Sequence, residues 1–155
     1  MAADAMKTLW LLHGVNLDML GRRDPAVYGS MTLAELEDHV ARHGEAHGFT
    51  VRGFQTNHEG EFVEELHRLA EGDADAAIVN PGAWTHYSYA LHDALELVRA
   101  PVAEVHLSDV ERREEWRRRS VIADVVDVRV HGKGAQGYVE ALAALARILA
   151  GGEGP

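Results

Sequence analysis

A chain of 155 residues, 46% of them hydrophobic, can bury one full core and leaves no room for a second domain, so a single catalytic or binding domain over 1–155 is expected. The formal charge of −10 argues against a nucleic-acid partner, and the lack of cysteine excludes a disulfide framework and a thiolate metal site, which makes a reducing cytoplasm the expected address. No run approaches the length of a membrane span, no basic region followed by a long apolar stretch opens the chain, and the first few residues and the tail 151–155 are expected to fray.

In chain order, five apolar runs predict strands, and each stops at polar residues. Thr8-Leu9-Trp10-Leu11-Leu12 stops at His13-Gly14-Val15-Asn16, and Phe49 to Gln55 stops at Thr56-Asn57-His58. Ala76-Ala77-Ile78-Val79 gives way to Asn80-Pro81-Gly82, Val102-Ala103-Glu104-Val105-His106 to Leu107-Ser108-Asp109, and Val125 to Val130 gives way to His131-Gly132. Between them, residues 32–47 open on the capping-box pattern Thr32-Leu33-Ala34-Glu35, and 59–71, 86–98 and 135–149 carry apolar residues at three- and four-residue spacing. Five strand-then-helix units imply an α/β fold whose parallel sheet is covered on both faces. In such sheets ligands bind outside the carboxyl ends of the strands, where these polar residues collect.

The fourth strand holds the clearest chemistry. Glu104 stands two positions before His106, so both side chains share one face of the strand, and a carboxylate beside an imidazole fixes its tautomer and favours its protonated form. That is how a general acid is built. Arg112, Arg113, Arg117, Arg118 and Arg119 crowd the segment that follows, where Glu114 and Glu115 stand four residues before Arg118 and Arg119, the spacing of a charged helix face. An acidic small molecule would still need one or two of these arginines, because guanidinium grips carboxylate bidentately.

Two other motifs point to less. Gly132-Lys133-Gly134-Ala135-Gln136-Gly137 matches G-x-G-x-x-G between a strand and a helix, but no further strand or ribose-binding acid follows. A tight turn exposing helix N-terminal amides is the better reading. His39, His43 and His47 share a helix face with Glu35 and Asp38 and are expected to face solvent; no metal site is expected.

Five segments together carry a resemblance: Asn16 to Gly29, Gln55 to Gly60, Asn80 to His86, Glu104 to Ser108, and Gly134 to Tyr138. In order and spacing, from about residue 8 to 148, the chain resembles the type II 3-dehydroquinate dehydratases. The resemblance implies a flavodoxin-like, five-stranded parallel sheet of order 2-1-3-4-5 and a trimer-based homododecamer. It implies loss of water from 3-dehydroquinate to give 3-dehydroshikimate, a step of the shikimate pathway to aromatic amino acids. The elimination is anti, runs through an enolate and uses no cofactor or metal.

It also implies roles for particular residues. Tyr28 would be the base that takes a proton from the carbon beside the ketone, with Arg23 favouring its phenolate; His106 would protonate the departing hydroxyl, oriented by Glu104. Asn16 would stabilise the enolate oxygen, while Asn80, His86, Arg117 and the backbone of Leu107 and Ser108 would bind the substrate's hydroxyls and carboxylate. Asp93 would enter from a neighbouring subunit. A typical tyrosine is about 0.1% ionised at pH 7, and an arginine-driven drop of roughly two units raises this to about 10% for about 2.7 kcal/mol. Arg23 and Tyr28 lie between Gly21 and Gly29 on a loop, about 17 to 31, that could act as a lid.

The chain departs from the family pattern at His13, Val15, Asp109, Trp84, Tyr87, His92 and the segment Val121-Ile122-Ala123-Asp124. Those departures leave the acid–base set intact and keep a second reading open, a paralogue acting on an aminated or otherwise modified dehydroquinate. A third is a non-catalytic flavodoxin-like binding protein, which gives Arg23, Tyr28, Glu104 and His106 no joint purpose. Only Lys7 and Lys133 could form a Schiff base with a ketone, and neither is well placed for it.

Overall fold

The apolar runs form five strands in a computed structural model that describes residues 5–152: β1 (Lys7–His13), β2 (Phe49–Gln55), β3 (Ala76–Asn80), β4 (Val102–His106) and β5 (Val128–His131). All neighbours pair in parallel, in the order β2-β1-β3-β4-β5, which is the flavodoxin-like topology expected. β3 and β4 are buried at every residue, as strands covered on both faces must be. Helices α2 (Leu33–Ala46) and α5 (Gln136–Leu149) cover one face, where Leu9, Leu11, Ile78 and Val105 meet Leu36, Val40, Leu142 and Leu145. Helices α3 (Glu59–Ala70) and α4 (Tyr89–Glu96) cover the other, where Trp10, Leu12 and Val79 meet Phe62, Leu66 and Leu91. Truncating one of these fully buried leucines to alanine would cost about 2–5 kcal/mol.

The capping-box signal holds at the start of α2. Thr32 Oγ1 accepts the Glu35 amide at 3.2 Å, the capping interaction expected there. Ser88 caps α4 through the Leu91 amide at 3.1 Å, so the helix predicted from 86 begins later, after a 3₁₀ turn over Gly82–His86.

Three local expectations need correction. The loop after β1 holds a four-residue helix, α1 (Pro25–Tyr28), because Asp24 accepts the Ala26 amide and Pro25 presets the first helical residue. The arginine-rich segment is not a helix but two 3₁₀ turns, Val110–Arg112 and Glu115–Arg117; Val110 is the one buried residue of the two turns, so no apolar stripe holds a helix against the core. Glu114 therefore pairs with Arg117 at 2.6 Å rather than with Arg118. β5 begins at Val128 and not Val125, since Asp127 turns the chain by bonding the Val102 amide through its side chain and the Val102 carbonyl through its amide. At the end of α5, Gly151 takes a φ of 87° and the amides of Gly151 and Gly152 return to carbonyls of its last turn. The remaining termini, 1–4 and 153–155, lie outside the described residues. Among the described residues no helix is long and apolar enough to cross a membrane.

Candidate active site

Side-chain alternation along β4 decides the first part of the site. Ala103 and Val105 go into the core beneath α2 and α5, which turns Glu104 and His106 to the opposite face. Glu104 is wholly buried, and His106 Nε2 bonds its Oε2 at 2.6 Å. Thr85, in the turn before α4, donates to Oε2 at 2.5 Å, Ser120 donates to Oε1 at 2.8 Å, and Arg129 on β5 donates to Oε1 at 3.3 Å. Burial alone would push the Glu104 carboxyl up, but the bond from His106, its charge, the Thr85 hydroxyl and Arg129 together hold it at about 2. The carboxylate stays ionised and fixes the imidazole, leaving the other ring nitrogen of His106 for a ligand.

The loop after β1 supplies the second part. Arg23 Nη2 donates to the Tyr28 hydroxyl oxygen at 2.7 Å, and its guanidinium carbon lies 3.7 Å from the Tyr28 ring centroid. The turn of α1 makes this contact possible by bringing residues five apart onto one side. A second guanidinium, that of Arg113, lies 5.2 Å from the same ring centroid.

Asn16 sits at the floor with a φ of 70°, the one non-glycine residue with positive φ among the described residues. Such a conformation persists where its surroundings hold it, and here the Asn57 side chain, itself bonded by Gln55, accepts the Asn16 amide at 2.8 Å. The Gln55-Thr56-Asn57 motif thus serves to hold the Asn16 turn. Two glycines let the first and third strand ends close together: a Cβ on Gly14 would lie 2.3 Å from the Pro81 carbonyl oxygen, and one on Gly82 2.6 Å from that of Val15. Asn80 is buried between them, donating to the Tyr138 hydroxyl at 3.1 Å and accepting the Gly82 amide at 3.1 Å.

His86 and the arginine-rich segment complete the wall. His86 Nδ1 meets the Arg119 carbonyl oxygen at 2.8 Å, which fixes Nδ1 as the donor, and the ring stacks 6.4 Å from His106. Burial lowers the His86 pKa, with the charges of His106 and Arg117 adding to it and the Arg119 carbonyl opposing, so the ring is neutral at physiological pH. Of the five clustered arginines, Arg113 and Arg117 turn inward while Arg112, Arg118 and Arg119 stay exposed.

These groups line one cavity of about 100 Å³. Asn16, Arg23, Tyr28, Asn80, His86, His106, Leu107, Ser108 and Arg117 all face it, and Glu104 stands behind His106. Asp93 does not; its side chain is 77% exposed on α4. Arg113 lines the cavity as well, a residue of the arginine run that the sequence did not single out as a ligand. Its spacing of four from Arg117 is the one sequence signal that sets the two apart from the other three. Of the departures from the family pattern, Val15 alone lines the cavity: Trp84 packs against Phe62 in the core, Tyr87 is exposed, and His13 lies buried beside Glu37.

The remaining motifs fall elsewhere. The glycine-rich turn lets α5 approach the sheet, with a Cβ on Gly137 only 3.3 Å from Val130. Lys7 begins β1 at the far end of the sheet, and Lys133 ends on Glu140 at 2.9 Å. His39 and His43 pack edge to face at 4.5 Å on the outside of α2. Among the described residues the group whose ligand atoms could meet on a metal is His92, Asp93 and Glu96, away from the cavity.

The chain's similarity to known proteins agrees with this geometry. The family model described as dehydroquinase class II matches residues 7–146, a span that takes in every residue of the cavity. A 3-dehydroquinate dehydratase of Pelobacter propionicus is 48% identical over 148 residues, covering 96% of this chain and 99% of that protein. One from Thermotoga maritima is 49% identical, covering 88% and 92%. The crystal structure of the type II dehydroquinase from Propionibacterium acnes superposes with a TM-score of 0.88 at 37% identity, covering 93% of this chain and 99% of that one. A match of this length, with the cavity inside it, makes the chain a member of the class II dehydroquinase family.

Proposed function

We propose that this cavity is the active site of a 3-dehydroquinate dehydratase, a hydro-lyase that removes water by anti elimination through an enolate. The observation that carries this reading is the pairing within one cavity of a tyrosine oxygen bonded to Arg23 with a histidine bonded to a buried carboxylate. Tyr28 as phenolate takes the proton from the carbon beside the ketone. The electron pair moves to the ketone oxygen, where Asn16 stabilises the enolate. It then returns to expel the neighbouring hydroxyl as His106 protonates it, giving a conjugated enone and water. Asn80, His86, Arg117 and the Leu107–Ser108 backbone bind the ring hydroxyls and the carboxylate.

The charge of the cavity favours the ordinary substrate over an aminated one. Arg23, Arg113 and Arg117 line it, and the lining from one subunit holds no carboxylate, so the single carboxylate brought by Asp93 of a neighbouring subunit leaves the arginines in excess. Such a lining attracts the substrate's carboxylate and repels an added ammonium group. Asp93, exposed on α4, completes the site of a neighbouring subunit in a trimer-based dodecamer. Purified protein given 3-dehydroquinate should develop the absorbance of the conjugated enone. Absence of that signal, with substrate bound, would overturn this reading in favour of a paralogue for a modified substrate or a binding protein. Borohydride added with substrate should neither inactivate the protein nor add substrate mass; a reduced adduct on Lys133 would replace the enolate route with a Schiff base.

A further inference from the structure

We propose that Arg129 is a positioning residue for the acid half of the site: by taking up charge on one oxygen of Glu104, it sets how strongly the other oxygen holds His106. This rests on the reading of His106 as the acid oriented by Glu104. Arg129 lies directly opposite Glu104 in the register of β5 on β4, so the two side chains emerge on one face of the sheet. Arg129 bonds one oxygen of the carboxylate, His106 and Thr85 bond the other, and the Ser120 hydroxyl reaches both, at 2.8 Å from Oε1 and 3.1 Å from Oε2. Oε1 faces the Arg129 Nε at 3.3 Å, while Oε2 faces the His106 Nε2 at 2.6 Å and the Thr85 hydroxyl at 2.5 Å. A permanent cation therefore holds one side of the group and a titratable ring the other.

The Arg129 guanidinium is not held there by a full set of hydrogen bonds. Its Nη2 is buried and has no hydrogen-bond partner among the described residues, although the side chain as a whole is 24% exposed. An orphaned donor of this kind calls for an explanation, and the contact with Glu104 supplies one.

A general acid must be aimed, and it must also give its proton away. A buried carboxylate with no other cation would draw hard on the Nε2 proton, leave the ring electron-rich and weaken donation from the far nitrogen. Arg129 offsets that pull. The other charged or titratable groups around the pair are fewer and more distant in effect: His86 stacks on His106 from the turn before α4, Arg117 lies beside His86, and His131 stands opposite His106 on β5 with Asp109 at 3.4 Å.

The test compares Arg129→Met and Arg129→Lys with the parent, with His106→Asn as control for the underlying reading. We expect Arg129→Met to lower kcat roughly tenfold with KM within about twofold, and Arg129→Lys to recover most of the loss. The far-downfield proton resonance of the Nε2–H bond, assigned by its disappearance in His106→Asn, should move further downfield in Arg129→Met as Oε2 becomes the stronger acceptor. Unchanged kcat and resonance would overturn the proposal. So would a loss in kcat that lysine fails to rescue at an unmoved resonance, the signature of a purely structural arginine. If Arg129→Met does not fold, Arg129→Gln gives the same comparison. Normal turnover in His106→Asn would instead sink the assignment of the acid and leave Arg129 to be judged on the resonance alone, where no shift counts against it.

Discussion

Glu104 and His106 hang from a strand in the middle of the fold, and their partners come from the turn before α4, the loop before β5, and β5 itself. Tyr28 stands on a four-residue helix in a half-buried loop, with its hydroxyl held by an arginine only five residues away. Both reach the same cavity. The acid is thus built when the sheet forms, with solvent already excluded from its carboxylate, whereas the base is held by a local unit that can move without disturbing the core. A loop supported in this way is suited to open for substrate and to close over it. The two halves should accordingly respond to mutation in different ways.

The largest expected effect is at Glu104. Glu104→Ala strands His106, Thr85, Ser120 and Arg129 around a buried gap and should cost about 3–5 kcal/mol in urea unfolding, besides abolishing most turnover. Glu104→Gln keeps the volume and tests the charge. The folded carboxyl sits at about 2, below its ordinary value of 4.5, so its contribution to stability is present above pH 4.5 and is lost as pH falls toward 2. The parent should therefore lose stability over that interval more steeply than Glu104→Gln. Parallel curves for the two proteins would mean that the charged group is not what stabilises this corner.

Next is the base. Tyr28→Phe should lower kcat by at least about a hundredfold, the worth of a positioned base, while changing unfolding free energy by less than about 1 kcal/mol. A stability loss comparable to that of Glu104→Ala would erase the distinction between the two halves. Arg23→Ala should lower kcat by roughly tenfold or more, through the lost bond to the phenol oxygen, again with little effect on unfolding. Turnover close to the parent's in either variant would take that residue out of the proposed mechanism.

That same division governs what could be seen in the sequence. The sheet was legible because each strand is an apolar run ending in polar residues, and Glu104 with His106 was legible because alternation alone puts positions two apart on one face. The other partners of Glu104 were not, since Thr85, Ser120 and Arg129 come from 16 to 25 residues away and their approach depends on the register of β5 against β4. Asp24-Pro25 was a local signal for α1 that the wider loop concealed. The arginine-rich segment misled in the opposite direction: its charge spacing suits a helix, yet it has too little apolar surface to hold one, and the 3₁₀ turns that form instead send Arg113 inward with Arg117.

An exposed cluster of three residues sets the scale for the buried one. His92 lies between Asp93 and Asp124, at 3.1 Å from each, with its own side chain 17% exposed and those of its partners 77% and 72% exposed. Hydrogen bonds from Asp93 first and Asp124 next raise its pKa above 6.5, against a small opposing effect of burial. A raised value means that the paired ring stabilises the fold fully below about pH 6.5 and loses that contribution as pH rises through the folded value. Because both carboxylates stand in water, screening should keep the contribution below about 1 kcal/mol. His92→Asn should thus be slightly less stable than the parent at pH 5.5, and the two should converge by pH 9 in urea unfolding of the whole assembly. A gap as large as that at Glu104, or one that persists at pH 9, would show that His92 is covered in solution by a neighbouring subunit, and the contrast between buried and exposed pairs would have to be redrawn around the assembled protein.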